Sequence, residues 1–100
     1  MTGGDDSAAR PPAVTFSEFV LGLGANAAQF MGSDGDPAEV SARADLVSAA
    51  QHIDILTMLQ TKTRGNLEED EQKLLDALLY DLRMRYLNVK RSHDERDNSR

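Results

Sequence analysis

Apolar side chains fall on two opposite sides of a predicted helix in the last third of the chain, over about residues 67–91. At about 100° per residue, one side collects Leu74, Leu75, Leu78, Leu79, Leu82, Tyr86 and Val89. The other side carries a shorter set, here named the outer row: Ala77, Tyr80, Met84 and Leu87. A helix covered on one face only does not need a second apolar row. The pattern therefore predicts a helix sandwiched between two apolar partners.

The two ends of this helix carry charges of opposite sign. Residues 68–71 are all acidic, whereas the last turns are basic, with Arg83, Arg85, Lys90 and Arg91. This order complements the helix macrodipole, which is positive at the N-terminus. Adjacent carboxylates on a helix point in different directions and do not converge on a cation. We therefore interpret residues 68–71 as a solvated first turn and not as a metal site.

A second helix is predicted over about residues 37–64. Asp36 and Pro37 supply its cap and first-turn proline, and Gly65 is its C-terminal stop. The broader of its two apolar rows is predicted to face the core: Val40, Ala44, Val47, Ile55, Met58 and Leu59, with Leu56 at its edge. Leu46, Ala49 and Ile53 lie on the far side. Two rows again indicate a buried environment larger than one three-helix chain provides.

A first helix is predicted over about residues 15–31. Thr15 is followed three residues later by Glu18, the spacing of a reciprocal capping box, and Gly32 is the stop. Its core stripe contains Phe16, Phe19, Val20, Leu23, Ala27, Phe30 and Met31. All three phenylalanines of the chain are in this stripe.

Small residues inside the first helix indicate close packing. An interior glycine destabilises a helix by roughly 0.5–1 kcal/mol relative to alanine, so a compensating contact is expected. Gly24 and Ala28 lie one turn apart on one side of the helix. We predict that another helix approaches closely over these two residues; a locally weak helix is the alternative interpretation.

The pattern as a whole predicts an all-α fold: three helices in a small bundle, completed by oligomerisation. Residues 1–14 and the charged segment 92–100 contain almost nothing to bury and are predicted to be disordered tails. Residues 15–91 are predicted to form the single domain. One hundred residues with 40% apolar content are too few to bury a large core alone, which favours oligomerisation.

Composition narrows the expected environment and partners. A net charge of -6 opposes generic binding to nucleic acid or to an anionic membrane. The chain has no cysteine, which excludes disulfides, thiolate catalysis and thiolate metal sites. No secretory signal is visible at the N-terminus, and the most apolar stretch, residues 16–31, is shorter than the ~20 residues that span a bilayer. We expect a cytoplasmic protein.

Few side chains suggest chemistry. His52 lies on the apolar side of the second helix, where a core-edge histidine with a hydrogen-bond partner is the more common case. Arg83, between Tyr80 and Tyr86, could bind a partner's carboxylate or phosphate, although a charged residue bordering a packed seam explains it as well. We expect no catalytic, cofactor or metal residues, and no enzyme.

Three segments together resemble a known family: FSEFVLGLGANA (16–27), IDILTMLQTKTRGNL (53–67) and LLDALLYDLRMRY (74–86). They look like the small bacterial family called domain of unknown function 1844, over about residues 15–87. The family often has a threonine cap where this chain has Glu68, so Asn66 is expected to cap the third helix. The resemblance implies a short, all-helical bacterial protein and brings no activity, cofactor or catalytic residue.

Three functional hypotheses remain open from the sequence. The first is a non-enzymatic interaction protein, a homodimer or higher homo-oligomer that also binds an unknown protein partner. Its candidate interface is Leu46, Ile53, Ala77, Tyr80, Arg83, Met84 and Leu87. The second is a nucleic-acid or ribosome-associated accessory protein that uses the basic end: Arg83, Arg85, Lys90, Arg91, Arg96 and Arg100. The third is an enzyme whose site, with His52 and Arg83, is completed at an oligomer interface.

Overall fold

The computed structural model describes residues 13–32 and 45–98, and these form three helices that pack against one another in pairs. We name them α1 (Phe16–Phe30), α2 (Leu46–Lys62) and α3 (Glu69–Asn98). There is no strand in the described ranges. The prediction of an all-α fold with three packed helices is confirmed.

A capping box starts α1, as the sequence predicts. The Glu18 backbone N–H donates to Thr15 Oγ1 at 3.1 Å, and the Thr15 backbone N–H donates to Glu18 Oε1 at 3.0 Å. The backbone and side-chain hydrogen bonds from Thr15 hold the pKa of Glu18 below its ordinary value. Because the folded-state pKa is depressed, this stabilisation is present above the unfolded-state pKa and is lost as the pH falls through the folded-state pKa.

Replacing Thr15 with alanine is expected to lower the free energy of unfolding by about 0.5–2 kcal/mol, because the Glu18 N–H loses its acceptor. Thr61→Ala is the matched control, since the Thr61 hydroxyl only donates back to the Thr57 carbonyl of its own helix. Urea unfolding followed by circular dichroism measures both variants. An equal loss in the two variants would show that the Thr15 cap has no special role.

The second helix starts later than the pattern predicts. Asp45 has a non-helical backbone conformation and is the N-cap of α2, accepting the Ser48 backbone N–H at 3.0 Å. Asp45 also donates its backbone N–H to the Phe30 carbonyl at 2.7 Å, which fixes the start of α2 beside the end of α1. A continuous helix over 37–64 is therefore wrong at Asp45. The predicted turn and cap over 33–37 lie outside the described residues.

A short turn joins α2 to α3 and reverses the chain. Gly65 has φ +82°, in the left-handed region that glycine enters without strain. Gln60 of α2 donates to Asp76 of α3 at 2.7 Å, and Thr57, one turn earlier, accepts from Arg83, two turns later. The two helices are therefore antiparallel neighbours.

Both ends of α3 differ from the prediction. Glu68 and not Asn66 immediately precedes the helix, and the Glu68 N–H donates to Glu71 Oε1 at 2.9 Å. At the other end α3 continues to Asn98, seven residues beyond the predicted end at residue 91. No glycine or proline interrupts this segment, and Lys90 pairs with Asp94 one turn later at 3.0 Å.

The core lies where the three helices meet. Its buried members are Val20, Ala27, Met31, Ala49, Ile53, Leu56, Leu75, Leu79, Leu82 and Val89. The predicted inner row of α3 is therefore buried or half-buried, as expected. On α2 the faces are partly exchanged: the predicted far side supplies Ala49 and Ile53 to the core, whereas Val47, Ile55 and Met58 are exposed. Leu56 and Leu59, at and beside the edge of the predicted core face, stay buried or half-buried against the core. Phe19 of the predicted α1 stripe is also exposed.

Close packing of α1 on α3 occurs at Gly24. A β-carbon at this buried position would lie 2.8 Å from Cδ1 and 2.9 Å from Cδ2 of Leu78. Ala28 is only half-buried, and its neighbour Ala27 is the fully buried alanine of α1. The structure therefore provides a contact at Gly24 that offsets the low helix propensity of glycine.

Candidate functional site

The outer row of α3 is exposed to solvent along its whole length. Tyr80 is 69% exposed, Leu87 53% and Met84 45%, and Ala77 is exposed as well. The core-facing residues Leu75, Leu79 and Leu82 are on the opposite side of the same helix. Because α1 and α2 both pack on that buried side, neither covers the outer row. None of the described helices thus covers the second apolar row seen in the sequence, which is an exposed surface of this part of the chain.

Two residues of the candidate interface are placed elsewhere. Ile53 is 8% exposed and belongs to the core, and Leu46 packs half-buried against that core. The pattern assigns them to an outer face of α2, but the structure turns this face towards α3. Within the candidate interface, α3 alone supplies the exposed apolar residues.

A groove between α2 and α3 borders the outer row. It has a volume of about 340 Å³ and is lined by Ala50, Ile53, Asp54, Arg83, Tyr86 and Leu87. Leu87 belongs to both the groove and the outer row, so the two form one continuous surface. No sequence pattern marks Ala50 or Asp54, because their place in the groove depends on how the two helices lie side by side.

Arg83 joins the two helices that form this groove. Its Nη2 donates to Thr57 Oγ1 of α2 at 2.8 Å. The Thr57 hydroxyl in turn donates to the Ile53 carbonyl at 2.9 Å. Arg83 therefore has a structural partner within the chain, which agrees with its interpretation as a charged residue bordering a packed seam.

His52 lies on a different side of α2 from the Arg83 contact. Its Nδ1 is 2.9 Å from the Ser48 carbonyl, and its ring is 5.1 Å from the Phe30 ring of α1. The half-buried imidazole thus has a backbone hydrogen-bond partner and an aromatic neighbour. His52 and Arg83 are not brought together within the chain, and each has contacts that explain its position structurally.

The basic end of α3 is partly neutralised by its own carboxylates. Arg85 pairs with Asp81 at 3.7 Å, and Lys90 pairs with Asp94 at 3.0 Å. The hydrogen bond to the Asp94 carboxylate raises the pKa of Lys90 above its ordinary value. These pairs lower the local positive potential that binding to phosphates would require.

Within residues 13–32 and 45–98, no three histidine or acidic side chains converge in a way that could hold a metal ion. In the acidic first turn of α3, Glu69 pairs with Lys73 at 3.3 Å, and Glu71 Oε1 accepts the Glu68 backbone N–H at 2.9 Å. In the same ranges, no helix is both long enough and apolar enough to cross a membrane.

Further exposed apolar side chains are distributed over the other helices. They are Phe19 and Leu21 on α1 and Val47, Ile55 and Met58 on α2, with Val14 preceding α1. Single exposed apolar residues are normal on protein surfaces. The outer row of α3 differs from them because its members follow one another at helical spacing next to a groove.

Comparison with known proteins places the chain in a family. No curated protein and no solved structure matches it. The family model described as domain of unknown function 1844 matches residues 13–88, which include α1, α2 and most of α3. The chain belongs to this family, the domain of unknown function 1844.

Proposed function

We propose that this protein is a non-enzymatic helical module that associates with a second copy of itself through the outer row of α3. The observation that carries the proposal is the exposure of Tyr80, Met84 and Leu87, three large apolar side chains on one free helix face. Contiguous exposed apolar surface of this kind is typical of interaction sites.

The composition of the surface also supports this proposal. Tyrosine and methionine are enriched in protein interfaces, and a central apolar patch surrounded by charged residues is typical interface anatomy. The outer row is flanked by such charges, including Asp76, Asp81 and Arg91. The groove beside Leu87 adds concave apolar surface that a flat helix face lacks.

A second copy of the chain is favoured over other occupants. The net charge of -6 opposes an anionic membrane or nucleic acid, and Arg85 and Lys90 already have carboxylate partners. A small chain buries only a modest share of its surface alone, and most soluble oligomers are homo-oligomers. The described side chains offer no converging catalytic group near the row.

Size-exclusion chromatography with light scattering tests the proposal on the full chain. The wild type is expected to have the mass of a dimer at micromolar concentration. The double variant Tyr80→Glu/Met84→Glu is expected to be a monomer, because it places two carboxylates in a buried apolar contact. Tyr80→Ala, which keeps helix propensity high, is expected to weaken the dimer without unfolding it.

The matched control is Leu21→Glu on α1. Leu21 is 49% exposed, close to the 45% of Met84, and also lies inside a helix. Its replacement is expected to leave the dimer intact. A monomeric wild type at micromolar concentration contradicts the proposal, and so does a Leu21→Glu variant that dissociates as readily as the Tyr80→Glu/Met84→Glu double variant.

A further inference from the structure

The spacing of the outer row is that of a coiled-coil seam. Ala77, Tyr80, Met84 and Leu87 follow one another at intervals of three, four and three residues, as a and d positions of a heptad do. This set is symmetric about Leu82, which lies midway between Ala77 and Leu87 and also midway between Tyr80 and Met84. A two-fold axis at this level of α3 therefore brings two copies of the row into register.

We propose that two copies of the chain pair antiparallel along α3 with the two-fold axis at the level of Leu82. In this register Tyr80 packs on the partner's Met84, and Ala77 packs on the partner's Leu87. Lys73 faces the partner's Arg91 at the two ends of the seam, a like-charge pair at exposed positions that contributes little. The arrangement rests on the self-association proposed above and specifies its direction and register.

Side-chain volume favours this direction. An antiparallel pair sets the smallest member of the row, Ala77, against a leucine, and it sets an aromatic ring against a methionine thioether, a favourable contact. A parallel pair sets Ala77 against Ala77 and Leu87 against Leu87. The two alanines would then leave a gap at one end of the seam, and unfilled apolar space is destabilising.

Charge favours the same direction. The half of α3 before Leu82 is acidic and has one basic residue, Lys73; its acidic residues are Glu69, Asp70, Glu71, Asp76 and Asp81. The half after Leu82 begins with four basic residues, Arg83, Arg85, Lys90 and Arg91, which are followed by Asp94 and Glu95. An antiparallel pair sets the acidic half of one α3 against the basic half of the other. A parallel pair sets like charges side by side. Each exposed pair contributes little, but together such pairs select orientation.

Disulfide trapping tests the register directly, because the chain has no cysteine and each introduced thiol is unique. Ala77→Cys and Leu87→Cys are made as separate full-length variants with tags of different size, mixed, and oxidised in a glutathione buffer. The expected product is the mixed disulfide between the two variants. Ala77→Cys alone and Leu87→Cys alone are expected to form no disulfide-linked dimer.

Distances explain this expectation. In the proposed register, the two Ala77 residues of a dimer are ten positions apart along the axis, about 15 Å at the rise of an α-helix. Disulfides join residues whose Cα atoms are within about 7 Å, so the homotypic pair is out of reach. In a parallel dimer the two Ala77 residues lie at the same level, and so do the two Leu87 residues. Each cysteine variant then cross-links with itself.

Light scattering under reducing conditions separates the two possible failures. If the cysteine variants and the wild type are monomers and no disulfide forms, the self-association itself is wrong. If all are dimers but the homotypic disulfides form, or the mixed disulfide does not, the self-association stands and the antiparallel register is wrong.

Discussion

Replacing Leu79 with alanine is expected to lower the free energy of unfolding by about 2–5 kcal/mol. Leu79 is 1% exposed and lies in the middle of the buried side of α3. Removing its side chain loses the transfer free energy of three carbon atoms and leaves a cavity among the three helices. Small domains are stable by only about 5–15 kcal/mol, so a considerable part of the stability is lost. Urea unfolding followed by circular dichroism measures the change.

Leu87→Ala is the matched control for Leu79→Ala. It makes the same substitution two turns later on the same helix, at a position that is 53% exposed. Both substitutions are best compared in the Tyr80→Glu/Met84→Glu background, where pairing of copies does not contribute. In this background Leu87→Ala is expected to change the free energy of unfolding by less than about 1 kcal/mol. Similar losses at the two positions would mean that α3 does not have one buried and one free face.

The fold class could be predicted because local signals mark the helices. The Thr15 and Glu18 capping box fixes the start of α1 through hydrogen bonds three residues apart, which sequence alone can identify. Gly65 marks the turn before α3 for a similar reason, since its positive φ favours glycine. Caps and turns of this kind depend on neighbours along the chain and not on the packing of distant segments.

The core face of α2 could not be predicted in the same way. Both sides of this helix carry apolar residues, so periodicity does not distinguish the side with Val47 and Met58 from the side with Ala49 and Ile53. The choice depends on which side fits against α1 and α3, and the structure buries the side with the small Ala49. The packing of α2 against α1 and α3 therefore selects its core face, because the local pattern does not distinguish the two sides of the helix.

The candidate site was predictable only in part. The outer row of α3 follows from periodicity alone, since it faces away from the inner row at any helix phase. The contact of Arg83 with Thr57 joins residues 26 positions apart and needs the antiparallel placement of two helices. The groove needs the same placement, and so Ala50 and Asp54 could not be recognised beforehand.

Replacing Gly24 with leucine is expected to lower the free energy of unfolding by about 1–3 kcal/mol, as overpacking does in a closely packed interior. Even a single β-carbon at this position would lie 2.8–2.9 Å from both terminal carbons of Leu78, and the larger side chain must displace α3. The gain in helix propensity over glycine, about 0.5–1 kcal/mol, is too small to offset this separation of helices. Chemical unfolding followed by circular dichroism measures the difference.

Gly22→Leu separates the packing effect at Gly24 from the propensity effect. Gly22 is on the exposed side of the same helix, and nothing lies within 4 Å of a β-carbon there, so this variant is expected to be more stable than the wild type. A compensating variant tests the named contact. Leu78→Ala in the Gly24→Leu background is expected to recover part of the lost stability, because it removes the atoms that the new side chain meets. If Gly24→Leu is as stable as Gly22→Leu, or if Leu78→Ala only adds to the loss, then α1 and α3 do not approach each other at Gly24.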